Sequence, residues 1–359
     1  MSENNFYKDM VKELGDENTS LLTDGETSAE FGGWVDTGSY ILNAAFSGSL
    51  YGGVPDNKIT AFAGAEATGK TFFALGLMKA FQNQYDNGGV FHFDSESAVT
   101  KDMMESRGID PNRVIVSEPG TVQDFRTNAV RTIDNYQAMK DKRKGEVPKM
   151  MMILDSLGNL ASKKELEDIT DGKDTRDMTR TQLIRAAFRV LTLKLSKARM
   201  PLIVTNHTYQ TMEMYSLPEI AGGGGLKYAA SSIAMLSKAQ DKVDGQIVGN
   251  YINVTMVKSR FTKEKSKVRV RLNYETGLDR YYGLLELAEK YEVFKKVGNK
   301  YQIGDKTYFG KTINDKPEKF YTPEVMEQLE KAAAKEFKYG NQLDIDSDFG
   351  HEEVETDAA

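Results

Sequence analysis

The chain has no cysteine in 359 residues. Disulfide bridges, thiolate metal centres and cysteine nucleophiles are therefore excluded. Histidine is almost as scarce, with only His92, His207 and His351. No apolar run approaches the roughly 20 residues needed to span a bilayer. The opening MSENNFYKDM has no basic segment leading into an apolar stretch, the pattern of a secretory signal. These absences point to a cytoplasmic protein with no membrane partner.

What is present includes an uneven charge distribution. The formal net charge is −6, from 53 acids against 47 bases. Residues 341–359 hold seven of the acids and no lysine or arginine, which leaves 46 acids against 47 bases in the rest. An acidic tail of this kind reads as a disordered, solubilising end. A sharper reading makes it a competitor for a cationic site or a handle for a basic partner.

Short apolar runs without alternation occur at 59–63, 90–93, 114–116, 150–154 and 202–205, as expected of strands buried on both faces. Amphipathic stretches at 71–83, 122–138 and 179–198 predict helices between them. Strand and helix in alternation give an α/β fold, a mostly parallel sheet with helices on both sides. Runs at 233–236, 251–257 and 268–272 extend that sheet without helices. The expected organisation is an N-terminal arm over 1–35, a core over 36–282, a small C-terminal lobe over 283–340 with helices at 284–294 and 323–337, and the tail.

Directly after the first run comes Gly64-Ala65-Glu66-Ala67-Thr68-Gly69-Lys70-Thr71, followed by an apolar helix that opens on Phe72. This is the G-x-x-x-x-G-K-T phosphate loop in its strand–loop–helix context. Its backbone N–H groups and the helix N-terminus favour an anion. Lys70 would bridge the β- and γ-phosphates of ATP, and the Thr71 hydroxyl would ligate Mg²⁺. The run at 150–154 ends in Asp155, which puts a carboxylate at the ligand-binding edge of the sheet as a water-mediated Mg²⁺ partner. The run at 90–93 ends in Asp94-Ser95-Glu96. Glu96 is the candidate base for the attacking water, with Asp94 as its alternative and a solvated capping acid as the plain reading.

These residues, with Asp155-Ser-Leu-Gly-Asn-Leu-Ala-Ser-Lys-Lys-Glu165, Asp177-Met178-Thr179-Arg180 and Asn206-His207-Thr208-Tyr209-Gln210-Thr211, resemble the RecA-type recombinases, in particular their phage UvsX branch. The resemblance implies a RecA-type ATPase core that polymerises as a helical filament on single-stranded DNA and pairs it with a homologous duplex. It implies that His207 senses the γ-phosphate, and that two loops, within 162–179 and 208–225, line the filament axis. Met212, Met214, Tyr215, Gly222 and Gly223 would meet DNA in the second loop, with Arg176, Arg180 and Lys227 on phosphates. Lys258 and Arg260 would reach a neighbour's γ-phosphate, and Tyr274 would stack on adenine. A recombination mediator and a single-strand-binding protein are the implied accessory partners. Lys265, Lys267, Arg269 and Arg271 alternate along one run and read as a solvated strand face. A hexameric DNA helicase on the same core, a small-molecule kinase and an inert nucleotide-binding filament are the competing readings.

Overall fold

The computed structural model describes residues 3–16, 19–24, 32–173, 179–209, 219–243 and 245–340. The acidic tail, Arg176, Met212, Met214 and Tyr215 lie outside the described residues. Helix α1 (Glu3–Leu14) opens the arm; strand β1 (Trp34–Val35) and helix α2 (Tyr40–Ser47) follow, and β2 (Val54–Pro55) pairs back on β1. The chain then enters the main sheet at β3 (Ile59–Gly64) and continues through α3 (Lys70–Gln84), β4 (Gly89–Asp94), α4 (Lys101–Ser106), β5 (Val114–Ser117), α5 (Val122–Lys142) and β6 (Met150–Asp155). Helices α6 (Lys163–Thr170) and α7 (Arg180–Ala198) lead to β7 (Leu202–Tyr209), β8 (Glu219–Ile220) and α8 (Gly224–Ala229). Strands β9 (Ser232–Val243), β10 (Gln246–Ser259), β11 (Lys267–Asn273) and β12 (Gly277–Leu278) finish the sheet.

Its order is β12-β11-β10-β9-β3-β7-β6-β4-β5, with β8 joined to β7. Pairing is parallel from β9 to β5 and antiparallel from β9 to β12. Two hydrophobic clusters explain the unbroken apolar strands. Phe62, Met151, Ile153 and Ile203 point to the α3 side, while Ala61, Phe93, Leu154 and Val204 point to α5 and α7. Phe62 stacks on Phe73 at 5.5 Å, and Phe93 meets Phe125 edge-on at 5.1 Å. Truncating either strand phenylalanine to alanine would cost about 3–5 kcal/mol. Helix α5 follows the same logic, with Phe125, Ala129 and Ile133 buried at four-residue spacing behind a cap in which Thr121 Oγ1 accepts from Asp124 N at 3.1 Å.

The C-terminal lobe comprises α9 (Leu284–Lys290), β13 (Lys295–Val297), β14 (Lys300–Ile303), β15 (Lys306–Phe309), α10 (Gly310–Asp315), α11 (Pro317–Phe320) and α12 (Pro323–Phe337). Its three-stranded antiparallel sheet goes beyond the helices expected from sequence. Leu284, Phe294, Leu329 and Phe337 belong to the same cluster as α2 and α3. Leu50 N also donates to Glu330 at 2.7 Å, and Lys263 Nζ donates to two carbonyls at the end of α12. Position 283 therefore marks a change of layer, not a gap in the core. Among the described residues, no helix is long and apolar enough to cross a membrane.

Candidate nucleotide site and cationic tracts

The phosphate loop is built by close backbone approach. A Cβ on Gly64 would meet Thr68 Oγ1 at 2.6 Å and the Leu236 carbonyl at 2.8 Å, so only glycine closes this turn. Thr68 Oγ1 donates to the Ala65 carbonyl at 2.8 Å, and residues 65–67 form an exposed crest. Gly69, in the left-handed region at φ 95°, starts α3 without a side-chain cap. The first N–H groups of the helix are thus left for a ligand. Lys70 is only 7% exposed, and its Nζ donates to the carbonyls of Ala65 at 2.9 Å and Gly64 at 3.1 Å. Burial holds the Lys70 ammonium below the usual lysine value, against the pull of Glu96, Asp155 and Glu66. Thr71 is half-buried, and the Phe72 ring lies 5.0 Å under the Arg107 guanidinium.

Strand register sets out the rest of the site. Asp94 is level with Asp155 across β4 and β6, and Gly64 with His207 across β3 and β7. Asp155 is 2% exposed and accepts a short hydrogen bond from Thr205 Oγ1. Asp94 spends its oxygens on the backbone N–H groups of Glu96, Ala98 and Val99, at 3.0, 3.4 and 3.3 Å. It shapes the turn that presents Glu96, and this argues against its serving as the base. Glu96 Oε1 accepts from Ser156 Oγ at 2.5 Å and lies 3.0 Å from His207 Nε2. Lys70, Asp155, Glu96 and His207 are thereby gathered at one edge of the sheet.

From that edge a path runs to the second loop. The His207 carbonyl accepts from Ala221 N at 2.9 Å, and Asn206 Nδ2 donates to the Ala221 carbonyl at 2.8 Å. Strand β8 pairs with the end of β7. Gly222 and Gly223, with φ of 79° and 68°, then turn the chain into α8.

Within the segment 162–179, Ser162 and Glu165 form a capping box that starts α6. Arg180, expected to meet DNA phosphates, packs against the turn after β6. Its guanidinium donates to the carbonyls of Leu160 at 2.7 Å and Gly158 at 2.8 Å and lies 3.9 Å from Glu165.

Lys227 is exposed on α8, and its carbonyl accepts from Lys258 Nζ at 2.7 Å. Arg260 lines a cavity of about 520 Å³ together with Arg185, Arg189, Thr192, Gly225 and Tyr228. Tyr228 is 76% exposed there. Arg185 and Arg189 escaped the sequence reading, although their four-residue spacing on α7 was a usable signal. Tyr274 follows β11, three strands from β3; it is exposed, and its hydroxyl accepts from Asn250 Nδ2 at 3.0 Å. On β10 and β11, Tyr251, Asn253 and Thr255 are level with Arg271, Arg269 and Lys267. Lys267 and Arg269 are exposed on that face, while Arg271 pairs with the buried Asp241 at 2.6 Å.

The chain matches the RecA N-terminal domain over residues 3–279. It is 34% identical to the "Recombination and repair protein" of Enterobacteria phage T4 over 283 residues, covering 78% of this chain and 70% of that protein. It is 29% identical to "Protein RecA" of Deinococcus radiodurans over 76% of this chain and 71% of that one. Against "Protein RecA" of Macrococcus caseolyticus the identity is 28% over 95% and 90%. The family match runs from the arm through the last strand of the main sheet and includes the whole phosphate loop: this chain is an ATP hydrolase of the RecA family.

Proposed function

We propose that this protein is a recombinase that forms a helical filament on single-stranded DNA, pairs that strand with homologous duplex in the cytoplasm, and uses DNA-dependent ATP hydrolysis to control the filament. The observation that carries this reading is the continuous path from Glu96 through His207 to Ala221, at the foot of the glycine turn. An ATPase edge wired to a loop base can couple the state of the nucleotide to the grip on a strand. The arm over 1–35 would bridge neighbouring protomers, and the tail would compete with DNA for cationic surface. A mediator and a single-strand-binding protein fit as accessory partners.

In this reading the loop amides and Lys70 hold the phosphates, whose oxygens are stronger acceptors for the ammonium than the two carbonyls it now faces. Thr71 and Asp155 fit the partial ligand set that Mg²⁺ takes when phosphates and water complete its shell. When bound, Mg²⁺ neutralises charge on the phosphate oxygens. Glu96 orients the attacking water and accepts its proton. Lys258 and Arg260, offered to the neighbouring protomer, would stabilise the charge that develops on the departing phosphoryl group and so tie turnover to assembly. Arg185 and Arg189, beside Arg260, would contact strand phosphates.

The test is joint-molecule formation between circular single strands and homologous duplex, with ATP and Mg²⁺. Wild-type protein should form joint molecules and the Lys70→Ala variant should form none. ATP-driven unwinding without pairing would favour a helicase, and turnover indifferent to single strands would overturn the recombinase reading.

A further inference from the structure

Glu96 receives both of its side-chain partners on the same oxygen. Ser156 Oγ lies 2.5 Å from Oε1 and His207 Nε2 lies 3.0 Å from it. A carboxylate can only accept, so the hydroxyl of Ser156 is the donor. Ser156 is fully buried, and its own backbone is fixed from both sides by Ser95. Ser95 Oγ accepts from Ser156 N at 2.8 Å and donates to the Ser156 carbonyl at 2.7 Å. Ser95 N in turn donates to the Asp155 carbonyl at 2.8 Å. The ends of β4 and β6 are thus bolted together next to the candidate base.

The two donors to Oε1 differ in what they are tied to. His207 is joined through its own carbonyl to Ala221 and the glycine turn, so a rearrangement of the second loop can withdraw it. Ser156 is held within the sheet edge by Ser95 and, among the described residues, makes no hydrogen bond to that loop. We propose that Ser156, braced by Ser95, is a positioning residue for hydrolysis. It holds Glu96 by Oε1 in either state of His207, which leaves Oε2 to take the water proton. His207 can then report on the nucleotide without the base losing its aim. This inference rests on the reading of Glu96 as the group that activates water.

Steady-state hydrolysis with saturating single-stranded DNA, measured for Ser156→Ala, Glu96→Gln and the double variant, tests it. Loss of a hydrogen bond to a charged group predicts that Ser156→Ala lowers kcat about tenfold, with KM for ATP and the Kd of a fluorescent ATP analogue unchanged. The double variant should be no slower than Glu96→Gln alone, because the hydroxyl acts only through that carboxylate. A Ser156→Ala variant with wild-type kcat, beside a slow Glu96→Gln, would overturn the role of Ser156 and leave the base in place. So would losses that multiply in the double variant. Wild-type turnover by Glu96→Gln would instead remove the base reading itself, and this proposal with it. If Ser156→Ala does not fold, Ser95→Ala carries the same test, since it removes the brace and leaves the Ser156 hydroxyl present.

Discussion

The two halves of the main sheet solve different problems. From β3 to β4 the strands are parallel and covered on both faces, and the candidate site is buried at one edge, with Asp155 at 2% and Lys70 at 7% exposure. From β9 to β12 they are antiparallel, with Ile252, Val254, Val268 and Val270 facing the core while Lys267 and Arg269 stand in solvent on the other face. A buried site depends on groups held in place from several directions, so removing one of them disables it. An exposed cationic face acts through summed charge at high dielectric, where each residue adds a small, salt-dependent share. Substitutions should accordingly be all-or-none in the first half and graded in the second.

The sharpest form of that contrast is Lys70→Ala. Nothing else in the loop carries a positive charge to the phosphates, so hydrolysis should fall by at least about a hundredfold. A steady-state phosphate-release assay measures this. Turnover near wild type would break the comparison at its strongest point, because a buried, charged group at the catalytic edge would then be dispensable.

Arg260 lies between the two regimes: it sits on the cavity shared with Arg185 and Arg189, yet it is read as acting on the neighbour's nucleotide. Arg260→Ala should lose most of the DNA-stimulated rate, by about a thousandfold if it behaves as a finger supplied in trans. Mixtures of Arg260→Ala with Lys70→Ala subunits should recover part of the rate, since some interfaces then join an intact loop to an intact finger. Absence of recovery at every mixing ratio would place Arg260 within its own subunit.

The same contrast explains what could be read from sequence. The central parallel strands were legible to within a few residues because burial on both faces leaves an apolar run that only a few folds can use; the run at 114–116, expected to be covered in the same way, instead forms the edge strand β5, with Ile115 and Val116 54% and 53% exposed. The lobe sheet was not: its strands, such as Lys300–Ile303, are short and rich in lysine. The signal lay in two turns instead, Gly298-Asn299 and Gly304-Asp305, which join strands paired at Val297↔Lys300 and Ile303↔Lys306. Two-residue loops with a left-handed glycine mark hairpins. At the site, Lys70, Asp155 and Glu96 could be named because each ends or follows a buried strand, and His207 because of the family resemblance. Ser95, Ser156 and Thr205 could not, since the direction of a hydroxyl is set by tertiary neighbours. The engagement of Arg180 was hidden for a related reason, because the carbonyl partners of a guanidinium beside a loop are set by the fold.

A graded effect is expected on the open face. Replacing Lys267 and Arg269 together by alanine should weaken duplex DNA binding in a salt-dependent way. If both contact phosphates, the slope of log affinity against log salt should fall by about two. A salt titration by fluorescence anisotropy measures the slope. An unchanged slope would return these cations to a merely solvated strand face.

The smallest expected effect concerns His92 in the covered half. Its ring is 1% exposed near the middle of β4, and Nδ1 has no hydrogen-bond partner among the described residues. Burial pushes its pKa below the ordinary 6.5, and the attraction of Asp94 and Asp155 only partly opposes this. The folded protein therefore keeps the imidazole neutral at a pH where the unfolded chain has already bound a proton. Stability is unaffected by this residue above the unfolded value and declines as pH falls below about 6.5, with a slope that cannot exceed about 1.4 kcal/mol per pH unit for one proton. Below the folded pKa the decline stops, because both states then bind the proton. Replacing His92 by leucine removes this contribution and leaves every other titrating group in place. Urea midpoints measured from about pH 7 to about pH 5 should fall more steeply for wild type than for His92→Leu. Parallel curves would mean that the cavity around His92 accepts the charged ring, and that two-sided burial in this half of the sheet is less strict than its apolar strands imply.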